Sequence, residues 1–174
     1  MALRRKLAIV ALLAVTLIAS VIVSSAAAQD APALPEVLVT TDWLLDNLEN
    51  PNVRVIEVSV IPGVYERGHI PGAVNFVWHT DFVDPVQRDI VSAARFQELL
   101  QAAGVNEDTS IVLYGDTNNW FAAWGAWIFR LYGFDNVHLL DGGRVKWEAD
   151  GLPLSTDVAS YPAGSVTVGE ANPL

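Results

Sequence analysis

The chain of 174 residues contains no cysteine. That absence excludes disulfides, thiolate metal ligands and any covalent chemistry through a cysteine of this chain. Histidine is scarce: His69, His79 and His138 are the only three. None stands four residues from another and no ligand motif surrounds them, so neither a metal site nor a cofactor is expected. Positive charge is also short, with ten Lys and Arg against twenty Asp and Glu, a formal charge of −10. An acidic chain is a poor match for nucleic acid or anionic lipid. The charge reads as solubility. No internal repeat is visible.

One long apolar run is present, at the N-terminus. Arg4, Arg5 and Lys6 precede an unbroken apolar and small-residue stretch from Leu7 to Val23, and Ser24 to Ala28 close it. Ala26 and Ala28 suit an A-x-A cleavage, so residues 1–28 read as a secretory signal and the mature chain as exported, to the periplasm, the cell surface or the medium. The rival reading is an uncleaved anchor, since about 20 apolar residues span a bilayer. In that case the membrane is met only through this segment. Cleavage would remove three positive charges, moving the formal charge from −10 to −13. The mature chain is long enough for one real core.

Residues 29–35 form an Ala/Pro linker, and strands and helices then alternate over residues 36–154. Strands are expected at Glu36–Val39, Val53–Val60, Ala73–Val77, Ser110–Tyr114 and Val137–Leu140. Thr40 or Thr41 caps a helix carrying Leu44 and Leu48, and Ser92 opens one that Gly104 closes. Asn118 or Asn119 caps a third helix, which ends at Gly133. A short fourth carries Trp147 and closes at Gly151. Tyr65–Pro71 reads as a loop and Asp81–Ile90 as irregular. This alternation predicts an α/β fold, a mostly parallel central sheet with helices on both faces. Residues 155–174 show turn residues and little apolar pattern. They read as an extended tail or the start of an interdomain linker.

Chemistry in such folds sits in loops at the C-terminal ends of strands. The loop after the fourth strand offers Gly115, Asp116, Thr117, Asn118 and Asn119. Asp116 lacks the second aspartate, the lysine and the metal cluster of an aspartyl-phosphate enzyme, and D-T-N-N lacks the glycine and late glutamate of a calcium loop. Asp116 therefore reads as a local cap on backbone N–H groups. Pro71-Gly72 sets a turn. His69 reads as a structural histidine bonded to loop backbone, and Gly142-Gly143 as a tight turn or helix start.

Several of these residues together resemble one family. The segment Tyr65-Glu-Arg-Gly-His69-Ile70-Pro71-Gly72-Ala73 is similar to the rhodanese signature. Downstream, Gly133-Phe134 and Val137 lead to Leu140-Asp141-Gly142-Gly143 and Trp147. That order resembles the rhodanese helix end, core strand, double-glycine turn and tryptophan. The resemblance covers about Val37 to Pro153. It implies a rhodanese-like fold and sulfurtransferase ancestry, in which a cysteine directly after the fourth strand carries a persulfide. Here that position falls on Gly115 or Asp116. The chain resembles the non-catalytic N-terminal half of tandem thiosulfate or 3-mercaptopyruvate sulfurtransferases, whose other half bears the cysteine. The implied partner is that second, cysteine-bearing rhodanese domain. The alternative is a stand-alone inactive binding or scaffold module.

The helix after the loop, NWFAAWGAWIFRLY, carries one charge, Arg130. Trp120, Trp124, Trp127 and Leu131 form one stripe at helical spacing, and Phe121, Ile128 and Tyr132 form its neighbour. One sheet face cannot cover both stripes, so a second partner surface is expected.

Overall fold

Leu38 and Val39 form the first strand of a sheet whose core is built from the valine-rich segment that follows. The computed structural model describes residues 37–84 and 86–172. The expected signal and linker, residues 1–28 and 29–35, lie outside the described residues. Among the described residues, no helix is long and apolar enough to cross a membrane.

Five strands form one all-parallel sheet: β1 Leu38–Val39, β2 Val53–Ser59, β3 Val74–Val77, β4 Ser110–Gly115 and β5 Val137–Leu140. Their spatial order is β1-β5-β4-β2-β3. The helices are α1 Thr41–Asn47, α2 Val64–Arg67, α3 Trp78–Asp81, α4 Ala93–Ala102, α5 Trp120–Leu131 and α6 Gly143–Ala149. Thr40 caps α1 through Trp43 N–H at 3.1 Å, and Ser92 caps α4 through Arg95 N–H at 3.4 Å. Two apolar layers flank the sheet, as a buried parallel sheet requires. On one face Ile56, Val58, Ile111 and Leu113 pack with Phe96 and Leu100 of α4 and Ile128 and Phe129 of α5. On the other, Val53, Val55, Val112 and Tyr114 pack with Leu44 of α1 and Trp147 of α6. Period-2 alternation along β2 thus feeds both cores.

Two segments differ from the sequence reading, and a third shows contacts that the sequence reading lacks. The expected loop at Tyr65–Pro71 begins within α2, a single turn framed by Gly63 and Gly68 in positive-φ conformations. The segment expected to be irregular holds the end of α3 and a bridge between Val83 and Ile90. Residues 155–172 form no helix or strand, yet they lie against the domain along most of their length. Ser155 exchanges backbone hydrogen bonds with His69 at 2.8 and 2.9 Å. Gln101 Nε2 donates to Val166 O at 2.9 Å, and the Val166 side chain is fully buried in the α4–α5 core. Alternating polar and apolar residues here fit a groove, which local pattern does not reveal.

Candidate functional site

All five strands run the same way, so the loops after β2, β4 and β5 meet at one edge of the sheet. The loop after β4 spans Asp116 to Asn119. Asn118 and Asn119 both take positive φ, 47° and 60°. Asparagine tolerates this region better than most side chains. Asn119 occupies the N-cap position of α5, but its side chain makes no capping bond. Asn119 is thus the expected cap residue by position, without a side-chain capping bond. Asn119 Oδ1 instead accepts from Gly115 N–H at 3.0 Å, and its Nδ2 donates to Leu140 O at 2.7 Å. The side chain ties the β4 loop to the end of β5. Gly143 makes room for it, since a Cβ at Gly143 would stand 2.3 Å from Asn119 Oδ1.

Asp116 reaches across to the loop after β2. Its Oδ2 accepts from Val60 N–H at 2.9 Å and Ile61 N–H at 2.7 Å, and Thr117 Oγ1 donates to Oδ1 at 3.1 Å. Its backbone partners lie 56 and 55 residues away rather than within its own loop. Beside them lies a cavity of about 240 Å³ lined by Ser59, Tyr65, Asn75 and His79 among others. Ser59 Oγ donates to Asn75 Oδ1 at 2.7 Å. The loop therefore presents no thiol, and its carboxylate is committed to neighbouring backbone. Among the described residues, no group of His, Asp and Glu could hold a metal ion.

The motif residues around Pro71 organise the adjacent turn. His69 is fully buried. Its Nδ1 lies 3.0 Å from Tyr65 O and its Nε2 3.0 Å from Asp157 O. Its ring stacks on Tyr65 with centroids 3.8 Å apart. Tyr65 donates to Ala73 O at 2.7 Å. Burial, and secondarily the Glu57 charge, push the Tyr65 hydroxyl up to about 12. Gly72, at φ 77°, accepts from the Tyr161 hydroxyl through its carbonyl at 2.6 Å. Gly142 and Gly143, both at positive φ, turn the chain from β5 into α6, whose Trp147 is fully buried and donates to Pro153 O.

Three residues that the sequence reading passed over form the most polar part of the interior. Glu57 of β2 stands directly opposite Tyr114 of β4 in the strand register. Arg144, in the first turn of α6, donates through Nη2 to Glu57 Oε1 at 2.8 Å and Oε2 at 2.6 Å. The Tyr114 hydroxyl donates to Glu57 Oε2 and accepts from Ile70 N–H at 3.0 Å. Burial, followed by the Glu57 charge, holds Tyr114 well above the ordinary tyrosine range. Burial also opposes the charge of Arg144, but its bonds to Glu57 and Glu148 outweigh that and raise it. This network joins β2, β4, the motif turn at Ile70 and α6. Its sequence signal is a glutamate inside VRVIEVSV, an otherwise apolar strand.

The tryptophan stripe divides. Trp120 is 75% exposed, Trp124 39% and Trp127 37%, whereas Leu131 is only 9% exposed. Leu131 departs from the stripe because its side chain is buried, and its carbonyl accepts from Asn172 N–H of the tail at 2.9 Å. Ala122, Gly125 and Phe129 form the inner face of the helix and are buried. Trp78 packs edge-on against Phe121 and Trp124, and Trp124 packs tilted against Trp127, making one continuous aromatic surface.

The rhodanese-like domain model matches residues 40–150. The chain belongs to the rhodanese family. Its rhodanese domain is 50% identical over 136 residues to the sulfur carrier protein TtuD of Thermus thermophilus, covering 78% of this chain and 48% of that protein. It is 49% identical over 132 residues to putative thiosulfate sulfurtransferase 1 of Mycobacterium bovis, covering 76% of this chain and 48% of the relative. The chain thus spans about half the length of these curated relatives. Among solved structures, it is similar to the Escherichia coli 3-mercaptopyruvate sulfotransferase SseA at a TM-score of 0.69 and 27% identity, covering 79% of this chain and 56% of the other. It is also similar to YnjE, at a TM-score of 0.64 and 31% identity, covering 78% and 36%. The rhodanese signature from Tyr65 to Ala73 and the Gly142-Gly143 turn both lie inside the matched region.

Proposed function

We propose that this chain is the non-catalytic rhodanese half of an exported thiosulfate sulfurtransferase, supporting a second domain that bears the persulfide cysteine. One observation carries the reading. Where the family places its nucleophile, this chain has Gly115 and Asp116, with the Gly115 N–H bonded to Asn119 and the Asp116 carboxylate bonded to the β2 loop. Covalent sulfur transfer has no nucleophile here. The half-length match to thiosulfate sulfurtransferases supports a two-domain setting. Purified chain, metal-free, should consume thiosulfate with cyanide no faster than buffer alone. Turnover above that rate defeats the reading.

Export rests on the sequence of residues 1–28. Mass analysis of the mature protein should find Gln29 at or near the N-terminus. Intact residues 1–28 in a membrane fraction would show an anchor instead.

The aromatic surface of α5 is the proposed seat of the second domain. Exposed aromatic clusters of this kind suit the centre of an interface. Left uncovered, it should drive self-association of the isolated chain. Trp124→Glu should leave the fold intact, with a stability loss of about 1 kcal/mol from the ring contacts with Trp78 and Trp127 that it gives up. It should also shift the chain toward monomer in sedimentation. A wild type that is already monomeric, with an unfolded Trp124→Glu chain, would assign this helix to the core alone.

A further inference from the structure

The N-terminal edge of the sheet, opposite the β4 loop, holds a buried cation. Arg54 is the second residue of β2 and is 6% exposed. Alternation places it on the same face as Ile56 and Val58, above the end of α4. Among the described residues it makes no ion pair, and its Nε is buried without a hydrogen-bond partner. One face of the guanidinium is covered by Tyr161, with the central carbon 3.2 Å from the ring centroid. Burial holds this guanidinium below its ordinary range, and only Tyr161 acts against that. An arginine enclosed without a carboxylate is unusual, because an uncompensated buried charge is strongly unfavourable. It is more so in a chain with a surplus of acids.

Arg54 also lines a cavity of about 440 Å³, with Asn50, Asn106 and Tyr161 as polar neighbours. The cavity is built rather than incidental. Gly104 takes φ 73°, and a Cβ there would stand 2.6 Å from Tyr161 Cβ, so this glycine admits the tyrosine. The Tyr161 hydroxyl is fixed on Gly72 O at 2.6 Å. Asn106 is held by Ser165, whose N–H and Oγ both donate to its Oδ1 at 3.0 Å. Glu49 also lines the cavity, and its carboxylate works against any anion there, most against a highly charged one.

We propose that this cavity binds a small sulfur oxyanion, of the thiosulfate or sulfate class, on the guanidinium of Arg54. The planar fork can donate two parallel hydrogen bonds to two oxygens of such an anion. The site lies at the opposite edge of the sheet from the β4 loop, so it stands apart from the reading of that loop. The proposal is tested with the full purified chain. Thiosulfate titrated to tens of millimolar should raise the thermal midpoint saturably by ~3 °C, as a ligand bound only by the folded state does. Sodium chloride at matched ionic strength should not. Arg54→Met should lose the thiosulfate-specific shift. Arg54→Lys, which keeps the charge without the fork, should weaken it. Isothermal titration of the wild type gives a direct reading that needs no variant to fold. An equal shift in Arg54→Met, an equal shift with acetate, or no saturable heat and no shift in the wild type each overturns the proposal.

Discussion

Arg144→Met should destabilise the domain by about 3–5 kcal/mol, because it strips a buried carboxylate of its counter-ion. Glu57 has no exposed surface and Arg144 little, and two short hydrogen bonds join them. Total stability of a domain this size is about 5–15 kcal/mol, so the loss is a large share of it. Glu57 would keep only the Tyr114 hydroxyl on the same oxygen. The pair is not an optimum for stability as such. Arg144 Nε is buried with no partner, so the charge is incompletely solvated even in the native state. Replacing both residues, Glu57→Met with Arg144→Met, should therefore recover much of the loss, as apolar substitutes for buried pairs often do. Urea unfolding of the two single variants and the double measures this coupling. A cost below about 1 kcal/mol for Arg144→Met would mean that water reaches Glu57 and that the network does not hold β2 to α6.

Gly115→Cys should leave the chain at the rate of buffer alone in the thiosulfate–cyanide assay, even though it places a thiol at the family's position. Gly115 is buried at the end of β4, and a Cβ added there would meet Val58 O at 3.2 Å and Ala122 Cβ at 3.6 Å. A sulfur atom at that point is enclosed by strand and helix and follows a carbonyl, with Asp116 next in sequence. Burial and an adjacent carboxylate both disfavour a thiolate, which is the reactive form. The N–H that could face an anion is already bonded to Asn119 Oδ1. Asp116 also opposes an anionic donor. Robust turnover by this variant, followed by trapping of a persulfide on the introduced cysteine, would show that the loop opens readily and that only the thiol is missing. A Gly115→Cys, Asp116→Ala double substitution separates the two obstacles, since it removes the charge and leaves the steric one.

The sequence by itself determined the order of the five strands and the four longer helices, the family and the lack of a cysteine. Each is a local or compositional property. Alternation and helical spacing depend on neighbours within a few residues, the Tyr65–Ala73 signature and Gly142-Gly143 turn are short segments, and a missing cysteine needs no coordinates. The caps at Thr40 and Ser92 were legible for the same reason. What only the tertiary structure decided are the partners of polar groups far apart in the chain. Glu57 and Arg144 are 87 residues apart and meet because β2 lies beside β4, whose neighbour β5 leads into α6. Asp116 reads locally as a cap on its own loop, but it bonds Val60 and Ile61 because parallel strands bring their loops to one edge. Leu131 shares the helical spacing of the exposed tryptophans, yet it is buried. The tail looks like a linker because it is rich in turn residues and its few apolar residues form only a short alternating run. Their spacing fits the surface of α4 and α5 and no regular element of their own, and such complementarity exists only after those helices have folded.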